Sequence, residues 1–203
     1  MISFSRLTAL DRSWCDAALF NIQGDSPHVN LRERATVERL KQIDLTKYRY
    51  LHFASHGLLA DKMGIATQPV LVLSKVNDDP DSNLLKFSDI LELKLNADLV
   101  TLSACETGLG ELRTGEGLIG LARAFMYAGS SSVLVSLWKV EDQSTSLLME
   151  LFYRGLKQGL SKAEALRHAK IKMLNTKLYL KSLDMEQSLS SPFYWAPFVI
   201  FGN

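Results

Sequence analysis

The stretch Tyr48-Arg-Tyr-Leu-His-Phe-Ala-Ser-His-Gly57 decides the fold class, because a short apolar run ends there in a polar turn. Three other runs share its length and character, at residues 70–73, 99–102 and 132–137. Short runs rich in β-branched and aromatic residues are typical of strands. Because these runs are apolar on both faces, they predict parallel strands that helices cover from each side.

Segments with helical periodicity lie around these strands. Residues 117–128 carry apolar side chains at i, i+3, i+4, i+7 and i+8, and Gly129 is a residue type that commonly ends helices. Residues 36–42 predict a shorter helix. Strands and helices that alternate in this order predict an α/β fold with a mostly parallel sheet and right-handed crossovers.

Two more helices are predicted in the C-terminal third of the chain. One begins after Asp142, whose carboxylate is suited to cap it, and runs to Gly155 or Gly159. The segment Ser161-Lys-Ala-Glu164 has the capping-box pattern, so a separate helix is predicted to start there.

Length and composition fit one folded domain. The chain has 203 residues, of which 47% are hydrophobic and 22% charged, which excludes disorder, collagen and coiled coils. A chain of this size buries roughly 70% of the surface that its unfolded form exposes, so it needs no disulfide or structural metal to fold. No repeat or linker divides it. We therefore expect a single domain over residues 1–203, in which residues 1–34 are the least clearly assigned.

Charge, apolar runs and cysteine content narrow the compartment and the partners. The net charge is +1 with both signs scattered, so the basic stripe of a nucleic-acid binder is missing. The longest apolar stretch, residues 193–201, is too short to span a bilayer, and the N-terminus lacks a secretory signal pattern. Cys15 and Cys105 form neither a disulfide framework nor a metal motif. We expect a soluble, cytoplasmic protein without metal, cofactor, nucleic-acid or membrane partner.

Two reactive side chains follow predicted strands. His56 closes the first strand, and Cys105 follows the strand at residues 99–102. In an open parallel sheet, ligands bind beyond the carboxyl ends of the strands. A cysteine nucleophile needs a base for its proton, and imidazole serves near neutral pH. Gly57 allows a close main-chain approach, and its N–H with that of Cys105 makes a candidate oxyanion hole. The other interpretation of Cys105, a small buried hydrophobic residue, stays open at this point.

The remaining histidines and the second cysteine receive structural interpretations. His52 lies two pleats before His56, about 13 Å away in an extended strand, so the two cannot share a metal ion. His52 is therefore predicted to be a hydrogen-bonded core residue. The spacing resembles that of a zinc protease motif, but residue 53 is Phe rather than Glu, which argues against one. Packing or surface positions are predicted for Cys15, His28 and His168.

A glycine motif invites a nucleotide-binding interpretation. Gly115-Glu-Gly-Leu-Ile-Gly120 matches Gly-x-Gly-x-x-Gly and opens a predicted helix. The glycines of that motif turn directly off a strand, whereas residues 103–114 intervene here. The motif therefore does not predict a dinucleotide site, and residues 107–117 are predicted to be a long flexible connection.

The segments Leu51-His-Phe-Ala-Ser-His-Gly57 and Leu102-Ser-Ala-Cys-Glu-Thr-Gly108 resemble the two signature segments of the CHAT domain. That domain is a caspase-like group related to separases, metacaspases and gingipains. Four further segments agree in order, namely residues 115–125, 136–142, 161–166 and 194–198. The resemblance covers about residues 35–202.

The resemblance implies a caspase-like three-layer α/β sandwich, with a mostly parallel central sheet and helices on both faces. It also implies a cysteine endopeptidase whose dyad maps onto His56 and Cys105, with an oxyanion hole from the Gly57 and Cys105 amides. The segment before residue 35 does not show the opening strand that the family leads us to expect.

In related peptidases, the loop after the next strand shapes the pocket for the residue before the scissile bond. That loop corresponds here to residues 136–142. The resemblance implies that Trp138 walls this pocket, with simple packing as the other interpretation of this residue. It also implies that Asp142, or Glu106 beside the nucleophile, favours a basic residue there. The pocket and helix-cap interpretations of Asp142 both stand at this point.

The leading hypothesis is thus a cysteine endopeptidase that acts on a protein or peptide substrate. CHAT domains commonly follow tetratricopeptide repeats in larger proteins, so the resemblance also implies a regulatory repeat domain in cis or in trans. The alternative is a catalytically silent CHAT module that serves protein interaction or assembly.

Overall fold

The computed structural model describes residues 2–5, 29–58, 70–75, 78–79, 81–103, 105–106, 115–180 and 184–203. The strands in this part of the chain are β1 (Ile2–Ser5), β2 (Val29–Leu31), β3 (Tyr50–Ala54), β4 (His56–Leu58), β5 (Val70–Val72), β6 (Leu84–Lys86), β7 (Leu99–Leu102), β8 (Cys105–Glu106), β9 (Ser132–Ser136), β10 (Lys177–Leu180), β11 (Met185–Ser188) and β12 (Phe198–Gly202). The helices are α1 (Val37–Gln42), α2 (Phe87–Leu91), α3 (Gly115–Tyr127), α4 (Asp142–Lys157) and α5 (Lys162–Leu174).

The main sheet has six strands in the order β12-β9-β7-β3-β1-β2. Every neighbouring pair is parallel except β12 with β9, so a mixed α/β fold with a mostly parallel central sheet is confirmed. The strand β1 lies between β2 and β3, with Ile2 opposite Leu51. This is the opening strand that the sequence did not reveal. Its residues Ile-Ser-Phe-Ser alternate in polarity and lack the continuous apolar run by which the other strands were identified.

The core lies against both faces of this sheet, because successive strand residues point to opposite sides. One cluster joins Phe53 and Leu102 to Leu121 and Phe125 of α3, and it also takes in residues of α1 and α2. The other cluster joins Leu99, Leu134 and Phe198 to side chains of α4 and α5. Helices therefore pack on each side of the parallel strands, which explains why those strands are apolar on both faces.

A second sheet of four short strands, in the order β6-β5-β4-β8, stands beyond the carboxyl ends of β3 and β7. The prediction that residues 70–73 form a parallel strand is wrong, because β5 pairs antiparallel with both β4 and β6. Burial explains the error. Val70 and Val72 pack with Leu84 in a small cluster, while Leu71 joins the main core, so β5 is also buried on both faces.

The helix ends follow local sequence rules at most positions. Thr36 caps α1, and Ser161 opens α5 through the predicted capping box with Glu164. Gly129, with φ of +113°, ends α3 as predicted. The hairpin β10–β11 was not predicted. Of the helices in the described ranges, none has the length and hydropathy to span a membrane.

One capping prediction is wrong. Asp142 does not cap α4, because Glu141 holds the cap position and its carboxylate accepts a hydrogen bond from the Ser144 N–H at 2.9 Å. Asp142 is instead the first helical residue. The backbone at Glu141 is not yet helical, with φ of −59° and ψ of 140°, and its carboxylate binds the N–H of the third helical residue, a group that a shorter cap residue also binds.

Candidate active site

The carboxyl ends of two adjacent parallel strands carry the residues of interest. The strands β3 and β7 pair as far as Phe53 opposite Leu102. Beyond that point the two chains pair again as β4 and β8, with His56 opposite Cys105. Every pair in both ladders joins a residue to the one 49 positions later, so the register is the same in the main sheet and beyond it. Neighbouring strands lie about 4.8 Å apart, so the backbones of His56 and Cys105 are immediate neighbours.

The same short ladder brings two more predicted residues together. Gly57 follows His56 in β4 and lies opposite Glu106 of β8. The backbone therefore places four of the predicted site residues in two successive cross-strand pairs. For these four residues, the described structure consists of their backbone and register.

The chain bends at Ser55, between the end of β3 and the start of β4. Ser55 is 2% exposed, and its hydroxyl oxygen has no hydrogen-bond partner among the described residues. A buried hydroxyl without a partner costs stability and is uncommon in folded proteins. Ser55 stands directly before His56, so this buried hydroxyl lies next to the candidate site.

Beneath this point lies a fully buried polar cluster. The Nε2 atom of His52 is 2.8 Å from the Ser103 hydroxyl, and its Nδ1 atom is 3.3 Å from the Tyr153 hydroxyl. Tyr153 donates in turn to the Thr101 hydroxyl at 2.7 Å. All four residues are at most 1% exposed. The prediction of His52 as a hydrogen-bonded core histidine is confirmed, whereas its three partners were not predicted.

The loop after β9 lies at the same edge of the sheet, because β9 is the parallel neighbour of β7. The Ser136 hydroxyl donates to the Trp138 carbonyl at 2.9 Å, and the Trp138 indole N–H donates to the Phe193 carbonyl at 3.1 Å. Trp138 is 38% exposed and Phe193 is 50% exposed. Two aromatic side chains thus present apolar surface beside the strand end that leads to Cys105.

Asp142 lies at the end of that loop, as the exposed first residue of α4. Because Glu141 caps this helix, the interpretation of Asp142 as the helix cap is wrong. The loop follows β9, which neighbours β7 in the main sheet, and Trp138 and Asp142 are not part of the β4–β8 ladder.

The remaining candidates of the sequence analysis fall elsewhere. His168 is an exposed residue of α5, as predicted. Cys15, His28 and most of the predicted flexible connection lie outside the described residues. The glycines of the rejected nucleotide motif all lie within the first six residues of α3, inside the helix rather than in a turn after a strand.

Two ion pairs of the described residues lie outside the β4–β8 ladder, that of Arg49 with Asp98 and that of Lys86, on β6 of the second sheet, with Asp81. The pKa of Arg49 is raised by its hydrogen bond to Asp98 at the opposite end of the strands. The pKa of Lys86 is raised by the carboxylate of Asp81, to which it donates a hydrogen bond. Within the described ranges, no group of three or more histidine, cysteine or acidic side chains is arranged to hold a metal ion.

A family model described as the CHAT domain matches residues 3–203. The chain belongs to the CHAT domain family. CHAT domains are related to the caspase-like peptidases, which use a histidine and a cysteine. The match also includes the N-terminal region that the sequence resemblance left out, in agreement with the position of β1 inside the main sheet.

Two relatives of this CHAT domain are repeat proteins. Tetratricopeptide repeat protein 28 of Mus musculus is 33% identical over 120 residues, which are 59% of this chain and 4% of the relative. Tetratricopeptide repeat protein 28 of Homo sapiens shows the same identity and coverage. The chain therefore spans only a small part of the length of these relatives.

Proposed function

We propose that this CHAT domain is a cysteine endopeptidase with Cys105 as nucleophile and His56 as general base. The observation that carries the proposal is the pairing of His56 with Cys105 across a parallel ladder at the carboxyl edge of the sheet. Residues paired in this way occupy the same face of a sheet, about 4.8 Å apart in backbone. That spacing suits a nucleophile and its base, which must come within hydrogen-bond reach.

The proposed chemistry is acyl transfer in two steps. His56 takes the proton from Cys105, and the thiolate sulfur attacks the carbonyl carbon of the substrate peptide. The C–N bond breaks, and the leaving amine takes the proton from the His56 imidazolium. Water then attacks the thioester with His56 as base, which releases the carboxylate product and restores the thiol.

The amides of Gly57 and Cys105 are proposed to bind the oxyanion that forms in both steps. Glycine beside the base supports this role, because a residue without a Cβ lets a substrate carbonyl approach the main chain. Backbone donors whose position is set by the fold need little rearrangement during the reaction, which is the condition for effective oxyanion stabilisation.

We propose a caspase-like three-layer sandwich as the framework of this site. Support comes from the two core clusters, which join helices to opposite faces of the parallel strands. Ligands bind beyond the carboxyl ends of strands in such sheets, and β3 and β7 are central neighbours in the strand order.

Substrate preference is assigned to the loop at residues 136–142 and to the residue after the nucleophile. Trp138 and Phe193 offer an apolar wall, since both are partly exposed and the indole is held by a hydrogen bond. Asp142 is exposed at the end of this loop, and its carboxylate is proposed, with that of Glu106, to favour Arg or Lys before the scissile bond.

Regulation is proposed to come from tetratricopeptide repeats, fused or separate. The support is the name of the two relatives together with their length, of which this domain matches only 4%. A reducing, cytoplasmic compartment fits the proposed thiol chemistry, because a catalytic thiolate is oxidised more readily elsewhere.

The test is proteolysis of a denatured proteome by the wild-type chain, Cys105→Ala and a matched Cys15→Ala control. Cys15 is the other cysteine of the chain, so the control removes a thiol and keeps Cys105. Cys105→Ala is expected to lower the cleavage rate at least about 1,000-fold, and Cys15→Ala to keep it. Cleavage that survives Cys105→Ala, or no cleavage by any form with or without repeat domains, would favour the silent interaction module.

A further inference from the structure

We propose that the buried cluster of His52, Ser103, Tyr153 and Thr101 is a positioning device for the two segments that carry His56 and Cys105. We call these four residues the His52 cluster. The inference rests on the proposed function, because accurate placement of these segments matters only if the dyad reacts.

The cluster ties together three elements that meet under the candidate site. His52 belongs to β3, Thr101 to β7 and Tyr153 to α4, and His52 and Thr101 are a direct cross-strand pair. The Tyr153 ring also lies against the His52 ring, with centroids 5.7 Å apart. A helix is thereby fixed to the two central strands by polar contacts in addition to apolar packing.

The hydrogen bonds of the cluster form a continuous chain. The Tyr153 hydroxyl donates to Thr101 and is also 3.3 Å from His52 Nδ1, and the Ser103 hydroxyl is 2.8 Å from His52 Nε2. Each ring nitrogen therefore has a hydroxyl partner, and the tautomer of the ring sets which group donates in each bond. The alternative acceptor for the Ser103 hydroxyl, the Phe53 carbonyl, is 3.5 Å away, which is at the limit of a hydrogen bond.

The place of the cluster in the chain explains its proposed role. Ser103 stands two residues before Cys105, and His52 stands four residues before His56. The Ser103 N–H also donates to the Phe53 carbonyl at 3.1 Å, which adds one step to the β3–β7 ladder. The side-chain bond between His52 and Ser103 therefore joins the two strands just before both chains leave the main sheet.

An apolar pair in place of His52 and Ser103 would fill the same space but would not fix the position of one strand relative to the other. Hydrogen bonds of 2.7 and 2.8 Å between buried groups allow little rotation or sliding, whereas apolar contacts tolerate both. A displacement of about 1 Å in a catalytic arrangement costs on the order of 100-fold in rate. The constant register across the bend at Ser55 is the structural outcome expected of such a constraint.

The experiment compares three variants of the cluster with one matched control. Ser103→Ala removes the hydroxyl that binds His52, Ser103→Thr retains a hydroxyl, and Tyr153→Phe removes the other partner but keeps the ring. The control is Ser130→Ala, since Ser130 is also a buried serine whose hydroxyl makes a short hydrogen bond, to the Ser132 carbonyl at 2.7 Å. Ser130 lies before β9, at the opposite edge of the sheet.

Two measurements are made on the full chain. The first is the rate of Cys105 alkylation by iodoacetamide against pH, with Cys15 as the internal reference. The second is amide hydrogen exchange in peptides that contain residues 56–58 and 105–106. Circular dichroism establishes that each variant is folded.

Ser103→Ala is expected to slow Cys105 alkylation about tenfold at neutral pH and to move the midpoint of the pH–rate profile towards that of a free thiol near 8.5. Exchange in both peptides should quicken. Tyr153→Phe should act in the same direction with a smaller effect, Ser103→Thr should recover most of the rate, and Ser130→Ala should change neither measurement.

The two proposals fail in different ways. If wild-type Cys105 reacts no faster than Cys15, the dyad is overturned, and hydrogen exchange alone then decides whether the His52 cluster orders the two segments. If wild-type Cys105 is fast and His56→Ala removes the advantage, but Ser103→Ala changes neither rate nor exchange, the positioning role is overturned and the dyad stands. Equal effects of Ser130→Ala and Ser103→Ala would also overturn it, because a general loss of stability would then explain both.

Discussion

The two ends of the parallel strands in the main sheet are built differently. We call them the amino edge and the carboxyl edge of the sheet. At the amino edge, where β7 and β9 begin, the chain is closed by backbone hydrogen bonds, such as that from the Ser131 N–H to the Ala97 carbonyl at 2.8 Å. At the carboxyl edge, the β3–β7 ladder bends at Ser55 and continues as the short β4–β8 ladder. The first edge satisfies these backbone groups locally, whereas at the second edge the Ser55 hydroxyl has no hydrogen-bond partner in the part of the chain that the structure describes. We therefore expect substitutions at the amino edge to act on stability, whereas the carboxyl edge holds the residues proposed for chemistry.

The amino edge gains further support from helix α5. The Lys162 ammonium group donates to the Asp98 carbonyl at 3.0 Å and to the Ser132 hydroxyl at 2.6 Å, so one side chain bridges the starts of β7 and β9. The Arg49 guanidinium donates to the Asp98 carboxylate at 2.7 Å. Substitutions at this edge are therefore expected to change stability while leaving the reactivity of Cys105 in the folded protein unaltered.

Gly129→Ala is expected to have the largest effect at the amino edge. Gly129 ends α3 with φ of +113°, and an added Cβ would lie 2.3 Å from the Leu95 carbonyl oxygen. Left-handed strain and this backbone clash together are expected to cost about 3 kcal/mol of unfolding free energy. For a chain of this length the melting temperature should fall by about 6–12 °C. Thermal unfolding followed by circular dichroism measures it.

Gly159→Ala is the matched control for this prediction. Gly159 ends α4 with φ of +88°, but an added Cβ would meet nothing within 4 Å. Both glycines follow the same helix-ending hydrogen-bond pattern, so the control contains the strain without the clash and should cost about 1 kcal/mol. Equal destabilisation by the two substitutions would show that the backbone at Leu95 moves away from the added Cβ at little cost in free energy. A changed rate of Cys105 alkylation in folded Gly129→Ala would contradict the separation of the two edges.

The difference between the edges also explains what the sequence could predict. The strands at residues 99–102 and 132–137 and the helix ends at Gly129 and Ser161 rest on local patterns, and the structure confirms them. Strand β1 was missed because its side chains alternate in polarity. Strand β5 was identified but misplaced, since burial on both faces does not distinguish a parallel strand from a short strand between two clusters.

The candidate site was predictable as far as strand order allows. Placing His56 and Cys105 after two strands was enough to expect them at one edge, and the structure pairs their backbones. The partners of His52 were not predictable, because Tyr153 lies 101 residues away on a helix whose rotation is set by packing. The choice between Glu141 and Asp142 as helix cap likewise depended on backbone conformation at one residue.

Asp142→Asn, at the carboxyl edge, is expected to weaken the selectivity for a basic residue before the scissile bond. If the exposed carboxylate faces a basic substrate side chain, its loss should reduce the preference for Arg or Lys over Leu before the scissile bond about tenfold. Cleavage of matched fluorogenic peptides measures the ratio of kcat/KM values. Glu150→Gln is the control, because it removes a charge from the same helix two turns further on. An unchanged ratio in Asp142→Asn would remove this residue from the pocket.

Ser161→Ala, at the amino edge, is expected to have the smallest effect on the unfolding free energy. The Ser161 hydroxyl accepts from the Glu164 N–H at 3.3 Å and donates to the Glu164 carboxylate at 2.6 Å, so its loss should cost about 1 kcal/mol at neutral pH. The same hydroxyl is the main reason that the pKa of Glu164 is lowered below 4.5. A lowered carboxylate pKa stabilises the fold above the unfolded-state value, and this contribution disappears as the pH falls through the folded-state value.

The difference in unfolding free energy between wild type and Ser161→Ala should therefore become smaller when urea unfolding is repeated below about pH 4. Ser88→Ala is the control, because Ser88 is an exposed serine inside α2 and its replacement should change stability by less than about 0.5 kcal/mol at either pH. A difference between wild type and Ser161→Ala that stays constant with pH would mean that the hydroxyl acts on the helix N–H alone. A slower Cys105 in Ser161→Ala would show instead that the amino edge transmits strain to the carboxyl edge, against the separation that the structure suggests.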